Sequence, residues 1–246
     1  MGLKVITIDF WNTLFDSSGG TGRNNYRLAG FIKEIDKYGI IIKADEFNDA
    51  IKSSWEYFNN IWKKDMRTPP PFESAEFFWK KLNLPYNTDS IKVIANIFSD
   101  AIIAHPPKLI DGVKESLESF KSKYKLGIVS DTGFSPGTVL RKLLELNSII
   151  SYFDVFSFSD ETGVSKPHPK AFLTVLNSFE CKPEDALHIG DIEQTDIEGA
   201  KKLGMKAIRF SGDTSFALTP EREEFTIADA EADSWEEIVK IIEKLN

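Results

Sequence analysis

Val5-Ile6-Thr7-Ile8-Asp9-Phe10-Trp11-Asn12-Thr13-Leu14 is the stretch that decides the fold. Four apolar or β-branched residues run straight into an aspartate. A short continuous apolar run of this kind fits a strand buried on both faces. Similar runs recur at Leu3–Ile8, Leu126–Val129, Val155–Phe158, Ala186–Ile189 and Ala207–Phe210. Helix-period segments separate the later ones: Val113–Lys123, Pro136–Leu146, Lys170–Phe179 and Asp196–Leu203. Strands alternating with helices predict an α/β fold, a Rossmann-like parallel sheet covered by helices. In such sheets chemistry gathers at the carboxyl ends of the strands. Asp9, Ser130 and Asp191 each stand at or just past such an end.

One stretch breaks the alternation. Asp16-Ser17-Ser18-Gly19-Gly20-Thr21-Gly22 reads as a flexible linker. Helix-like segments then fill about 24–38, 45–66, 73–83 and 88–104, and Pro69-Pro70-Pro71 separates the second from the third. His105-Pro106-Pro107 closes the insertion. Residues 17–107 therefore read as an all-helical domain inserted into an α/β core formed by 1–16 and 108–246. The insert holds 12 Lys and Arg against 11 Asp and Glu, so the core carries nearly all of the negative charge. An acidic tail, Glu221 to Leu245, is expected to end in a helix beginning near Ser234.

The 246 residues are 41% apolar, enough for a sizeable core. A net charge of −8 argues against nucleic acid and anionic membrane as partners. Cys181 is the only cysteine, which rules out an internal disulfide and a cysteine metal cage. No stretch approaches the roughly 18 apolar residues that span a bilayer. A soluble cytoplasmic protein, monomeric or homodimeric, is the expectation.

Asp9 alone reads as readily as a turn residue, and Ser130 alone as a helix cap. Ser130 also suits a bound anion, helped by the amides of Asp131 and Thr132. Lys166 lies in Ser165-Lys166-Pro167-His168-Pro169, where two prolines fix the backbone around its ammonium. His188-Ile189-Gly190-Asp191-Ile192-Glu193-Gln194-Thr195-Asp196 presents a strand, a glycine permitting close approach, then acids five residues apart. Carboxylates of this kind suit Mg²⁺, which binds through one or two of them and keeps several waters. Together these residues fit a carboxylate attack on phosphorus. Asp9 is the nucleophile, Mg²⁺ and Lys166 neutralise the phosphoryl oxygens, and Ser130 holds one of them.

In order and spacing, these motifs resemble the haloacid dehalogenase-like hydrolase superfamily over nearly the whole chain. Its first motif, Asp-x-Asp-x-Thr-Leu, is matched by Asp9 to Leu14 except at Trp11. Ser130 matches the second motif, Lys166 in Lys-Pro-x-Pro the third, and Gly190 to Asp196 the fourth, Gly-Asp-x-x-x-x-Asp. The resemblance implies a central Asp9 strand flanked by the strands ending in Ser130 and Asp191. It implies Mg²⁺ held by the Asp9 carboxylate, the Trp11 backbone carbonyl and Asp191. Asp196 is implied to bind the metal's waters or Lys166. The helical insert occupies the place of the family's cap, which selects a small phosphorylated substrate.

Trp11 departs from the pattern, because family phosphatases carry an acid/base Asp there. An aromatic residue points towards the 2-haloacid dehalogenases, whereas the paired acids point back to metal-assisted phosphatase chemistry. A phosphate-binding or regulatory module with little catalysis is the third reading. Asp16 and His105 are candidates for a substitute acid. His188, inside an apolar run, reads as a satisfied core histidine. Phe47, Ile51, Trp55, Phe58 and Trp62 lie on one helical face and read as the core of the insert. Arg23 and Arg27, one turn apart, fit a site for a remote anionic group, with solvated surface as the favoured reading.

Overall fold

The computed structural model describes residues 2–213 and 225–245. Six strands form one parallel sheet: β1 (Val5–Ile8), β2 (Lys125–Ser130), β3 (Val155–Phe158), β4 (Ala186–Gly190), β5 (Lys206–Phe210) and β6 (Ala230–Ala232). Their order is β3-β2-β1-β4-β5-β6. Ile8 pairs with Ile128 on one side and with Ile189 on the other. The Asp9 strand is thus central, between the strands that end in Ser130 and next to Asp191. The chain winds outward one way from β1 through β3 and the other way from β4 through β6. The reversal lies between β1 and β4, where open α/β sheets place their ligand crevice. All residues of β1 and β4 are buried, which is why both read as unbroken rather than alternating apolar runs.

Ten α-helices are described: α1 (Gly20–Asp36), α2 (Ala44–Asp65), α3 (Pro71–Lys81), α4 (Thr88–Ala104), α5 (Val113–Lys121), α6 (Gly137–Leu146), α7 (Ser159–Thr162), α8 (Pro169–Ser178), α9 (Glu198–Lys202) and α10 (Trp235–Leu245). None of them is long and apolar enough to cross a membrane. The contacts divide the chain into two compact units. The first comprises 1–18, 107–131 and 144–246, and the second 19–106 with 132–143.

In the first unit, α5 and α8 pack on β2. One cluster there joins Val5, Val129, Phe172, Val175, Ile197 and Met205. The last helix starts one residue past Ser234, and Trp235 is fully buried with its indole N–H on the Thr13 carbonyl at 2.9 Å. Residues 221–224 of the expected acidic tail lie outside the described residues.

The second unit is helical and has its own core of Phe31, Phe47, Phe78, Trp79, Ile94, Phe98 and Phe134. Phe78 is its hub, with ring centroids 5.1 Å from Phe31, 5.3 Å from Phe47 and 4.9 Å from Phe98. These edge-to-face pairs contribute beyond area burial alone. Phe47, Ile51, Phe58 and Trp62 of the α2 stripe are buried in this unit, and Trp55 packs against its core.

Three local features differ from the sequence reading. The glycine run is not a linker: α1 begins at Gly20, inside it. Gly19 enters the helix at φ +81°, and a Cβ at Gly22 would stand 2.7 Å from the His105 ring, so these glycines serve turn and close approach rather than flexibility. The helix expected from Asp196 is preceded by a π-helical turn, Glu193–Ile197. Strand β6 adds an edge that three residues of Ala-Glu-Ala could not announce.

Candidate active site

Asp9 ends β1 with 4% of its surface exposed, and its N–H donates to the Ile189 carbonyl at 2.9 Å. That bond ties the acid to β4 and fixes its backbone. One carboxylate oxygen, Oδ1, accepts from the Lys166 ammonium. Lys166 Nζ also donates to Asp196 Oδ1 at 2.6 Å. The Lys166 backbone N–H is held by Asp131 Oδ1 at 3.0 Å. This buried lysine therefore bridges two acids from separate strand ends, and a third carboxylate anchors its main chain.

Asp196 reaches the lysine because of the π-helical turn. Its N–H, and that of Ile197, both point to the Ile192 carbonyl, at 2.9 and 3.4 Å. The extra residue in the turn lets Asp196 Oδ2 fold back to accept from Ile192 N at 3.1 Å and Thr195 Oγ1 at 3.2 Å. Single π turns of this sort are frequent at functional sites. Gly190 completes the fit, since any Cβ there would overlap the Asp196 carboxylate.

His188 stands behind Asp196. Its Nε2 lies 2.9 Å from Asp196 Oδ1 and its Nδ1 2.9 Å from Thr7 Oγ1, the facing residue on β1. An anionic Asp196 requires the proton on Nε2, leaving Nδ1 to accept from the threonine. The histidine is satisfied, as expected of a core residue, and it also orients a site carboxylate. Burial pushes its pKa below the ordinary value despite Asp196, so the ring is neutral at pH 7.

Asp191 follows β4, and its Oδ2 accepts from Asn12 Nδ2 at 3.2 Å. Asn12 in turn accepts from Ser17 Oγ at 2.5 Å through Oδ1. Asn12 sits at φ +56°, a left-handed conformation that asparagine tolerates. Neither Asn12 nor Thr7 was singled out by the sequence reading. An asparagine just past a strand is a usable signal for Asn12, but nothing marks Thr7.

Electrostatics decide what the site lacks. Burial raises the Asp9 pKa to about 7; Lys166 opposes the shift and Asp196 adds to it. Burial likewise raises Asp191, with Asp9 and Asp196 adding to the shift. Asp196 goes the other way: burial would raise it, but Lys166 and His188 hold it below the ordinary range. Burial would lower Lys166, yet Asp196, Asp9 and Asp131 raise it. Three acids thus stand around one ammonium: Lys166 compensates Asp9 only in part, and Asp191 has no ion pair of its own among the described residues. Asp9 Oδ2 and Asp191 Oδ1 have no protein partner among the described residues. This donor set fits a hard divalent cation that takes two carboxylate oxygens and keeps several waters. No group of three or more His, Cys, Asp or Glu side chains that could hold a metal ion occurs among the described residues.

The other expected residues are placed as follows. Ser130 ends β2 with a buried hydroxyl, whose one contact, to the Asp131 carbonyl, is 3.5 Å and at the limit of a hydrogen bond. Thr132 belongs to the second unit, with Thr68 Oγ1 at 3.4 Å from its hydroxyl. Trp11 lies in the tight loop after β1, its ring edge-on to Phe10 at 5.2 Å. Asn12 N donates to the Phe15 carbonyl at 2.7 Å, closing that loop. Asp16 accepts from Ser18 Oγ at 2.6 Å, Ser18 N at 3.0 Å and Lys108 N at 2.8 Å. Burial would raise its pKa, but these donors hold it below the ordinary value, which makes it a poor acid. His105 belongs to the second unit, where its ring is edge-on to Tyr26 at 6.3 Å.

The chain belongs to the haloacid dehalogenase-like hydrolase family, whose model matches residues 39–210. It is a hydrolase with the α/β fold of that family's structures. It is 28% identical to a glyceraldehyde 3-phosphate phosphatase of Pyrococcus furiosus over 99% of this chain and 95% of that protein. The crystal structure of a phosphatase from Thermococcus onnurineus aligns with a TM-score of 0.66 at 22% identity, covering 98% of both chains. That of a 2-haloacid dehalogenase from Pseudomonas syringae aligns at 0.69 and 18% identity, over 99% of this chain and 100% of the other. Likeness at that identity speaks for the shared fold and does not separate the two chemistries.

Proposed function

We propose that the chain is a Mg²⁺-dependent phosphatase that transfers a phosphoryl group from a small phosphorylated molecule to Asp9 and then to water. The observation that carries this reading is the charge imbalance of three acids around Lys166. It leaves room for one divalent cation beside the nucleophile, which a dehalogenase releasing a halide does not need. Phosphatases of this family are generally Mg²⁺-dependent, and the aligned relatives named above include phosphatases.

In this reading Asp9, Asp191 and the Trp11 backbone carbonyl hold the ion. When bound, Mg²⁺ supplies positive charge to the phosphoryl oxygens and to the paired acids. Lys166, already held between Asp9 and Asp196, keeps its proton and faces the same oxygens as a fixed cation. The Ser130 hydroxyl and the Asp131 and Thr132 amides donate to the remaining oxygens. The Asp9 oxygen that the ion does not take, Oδ1, attacks phosphorus as it gives up its contact with Lys166, the P–O bond to the leaving group breaks, and an alkoxide or aryloxide departs with the electron pair. Water then cleaves the aspartyl-phosphate, giving inorganic phosphate and the original carboxylate. Trp11 neither protonates the leaving group nor takes a proton from that water.

The test is a phosphate-release screen over phosphorylated metabolites, with Mg²⁺ and with chelator. Release that needs Mg²⁺ and disappears in Asp9→Asn is the expected result. Chloride release from 2-chloropropionate in chelator would establish the dehalogenase instead. Ligand binding without turnover, even of activated esters, would establish a binding module.

A further inference from the structure

Among the described residues two arginines are buried, and their surroundings differ. Arg209, 5% exposed, places its guanidinium against two carboxylates, Glu193 at 3.4 Å and Glu231 at 2.7 Å. Arg27, 6% exposed in the second unit, has no acid against it. The sequence reading favoured a solvated surface for Arg27 over an anion site, and the structure overturns the surface: α1 turns it inward. Its guanidinium lies 4.8 Å from the Phe134 ring centroid and 5.9 Å from that of Phe98. Its one hydrogen bond runs from Nη1 to Asn24 Oδ1 at 3.0 Å, and its Nε is buried without a partner.

A buried guanidinium is normally paired, because its desolvation is otherwise uncompensated. Two aromatic faces recover part of that cost but leave the N–H donors unused. The neighbouring charge has the same sign: burial first, then Arg23 one turn away, pull the Arg27 pKa down to about 9. Two of the unit's acids are paired elsewhere. Glu34 accepts from Lys37 and Ser90, and Glu73 from Arg67 and Tyr57. The aromatic wall is itself braced, since Ser99 Oγ donates to the Phe134 carbonyl at 2.9 Å and Ser135 Oγ to the Ser99 carbonyl at 2.9 Å. The wall beside Arg27 is thus braced, and no carboxylate among the described residues pairs with its guanidinium.

We propose that Arg27 is an oxyanion-recognition site in the second unit, taking a small carboxylate or phosphate group on its unused donors. The source is a free small anion in solution, acting as an effector. A planar carboxylate matches the guanidinium fork, and charge-assisted bonds of this kind are the strong ones.

The test uses the full chain and three variants. Arg27→Met removes the charge and keeps an apolar stem on the two rings. Arg27→Gln also removes the charge, and Arg27→Lys keeps it without the fork. Thermal shift with malonate at constant ionic strength needs no turnover. Saturable stabilisation of wild type, weakened in Arg27→Lys and lost in Arg27→Met and Arg27→Gln, supports the site. No malonate effect on wild type, or an equal effect on all three variants, overturns the proposal and leaves Arg27 as packing.

Discussion

Asp9 carries a carboxylate that its surroundings make costly to ionise, and this has a measurable consequence. Asp9 ionises near pH 4 in an unfolded chain and near 7 in the folded one. The folded chain therefore holds the extra proton between those values, and stability falls as pH rises through that window. Asp191, raised in the same way, acts in the same direction. His188, lowered by burial, acts oppositely as pH rises through its unfolded value, but its charge is not one that a metal at Asp9 and Asp191 would relieve. Chelator-treated protein should accordingly gain more thermal stability from added Mg²⁺ at pH 8 than at pH 5. An equal gain at both values would place the ion elsewhere. Trp11 makes the second residue-scale prediction. General acid–base assistance contributes about 10²–10⁴ in rate, so alkyl phosphates should turn over slowly while aryl phosphates suffer far less. The aspartyl-phosphate should persist and give a burst of leaving group in stopped-flow with an aryl ester. Trp11→Asp should shrink the burst and speed alkyl esters. Absence of any burst in wild type would mean that another residue supplies the proton. At this scale Asp9, Ser130, Lys166, Asp191 and Asp196 were legible because each follows a strand-like run or sits in a spaced motif. Thr7 was not, since its partner His188 lies about 180 residues away, and Asn12 was legible only as a residue just past a strand, since its partner Asp191 is as distant. Arg27 was misread because the apolar face of α1 became definable only once Phe98 and Phe134 had come to it.

The elements around the site work through close approach, and glycine sets the closest of them. Gly190 ends β4 where any side chain would meet the Asp196 carboxylate. Gly190→Ala should push Asp196 off Lys166, leaving a buried ammonium with one acid fewer. Breaking a buried pair typically costs about 3–5 kcal/mol. Turnover should fall at least tenfold, and urea midpoints should drop while the m-value holds. A variant with wild-type midpoint and rate would show that the π-helical turn has slack enough to move aside. The turn itself was not legible, because a period-3.6 reading starts the helix at Asp196 and has no place for an inserted residue. Strand β6 escaped for a related reason: three residues carry no period at all. The glycine run before α1 was legible as an unusual backbone but not as a helix start. Glycine signals positive φ and close contact as well as freedom, and only the His105 ring beside Gly22 tells them apart. The β1, β2 and β4 strands, by contrast, were readable nearly to the residue, since burial on both faces leaves no alternation to confuse.

On the scale of the whole molecule, the sidedness of its chemistry follows from the two units having separate cores. Every carboxylate assigned to the ion, and Lys166, belongs to the first unit, while the Phe78 cluster belongs to the second. Phe78→Ala removes the ring at the centre of three edge-to-face pairs and leaves a cavity in a fully buried place. The expected loss is about 3–5 kcal/mol, enough to melt a marginal helical unit without touching β1 or β4. Mg²⁺ titrated into that variant by calorimetry at low temperature should bind with near wild-type affinity. Stabilisation by malonate should meanwhile be lost, because Arg27 and its aromatic wall rest on the same cluster through Phe98 and Phe134. Loss of Mg²⁺ binding together with the helical core would mean that the sheet cannot hold Asp9 and Asp191 in place by itself. In that case the charge-imbalanced site would have to be treated as a product of the whole chain rather than of the β1–β4 strand ends.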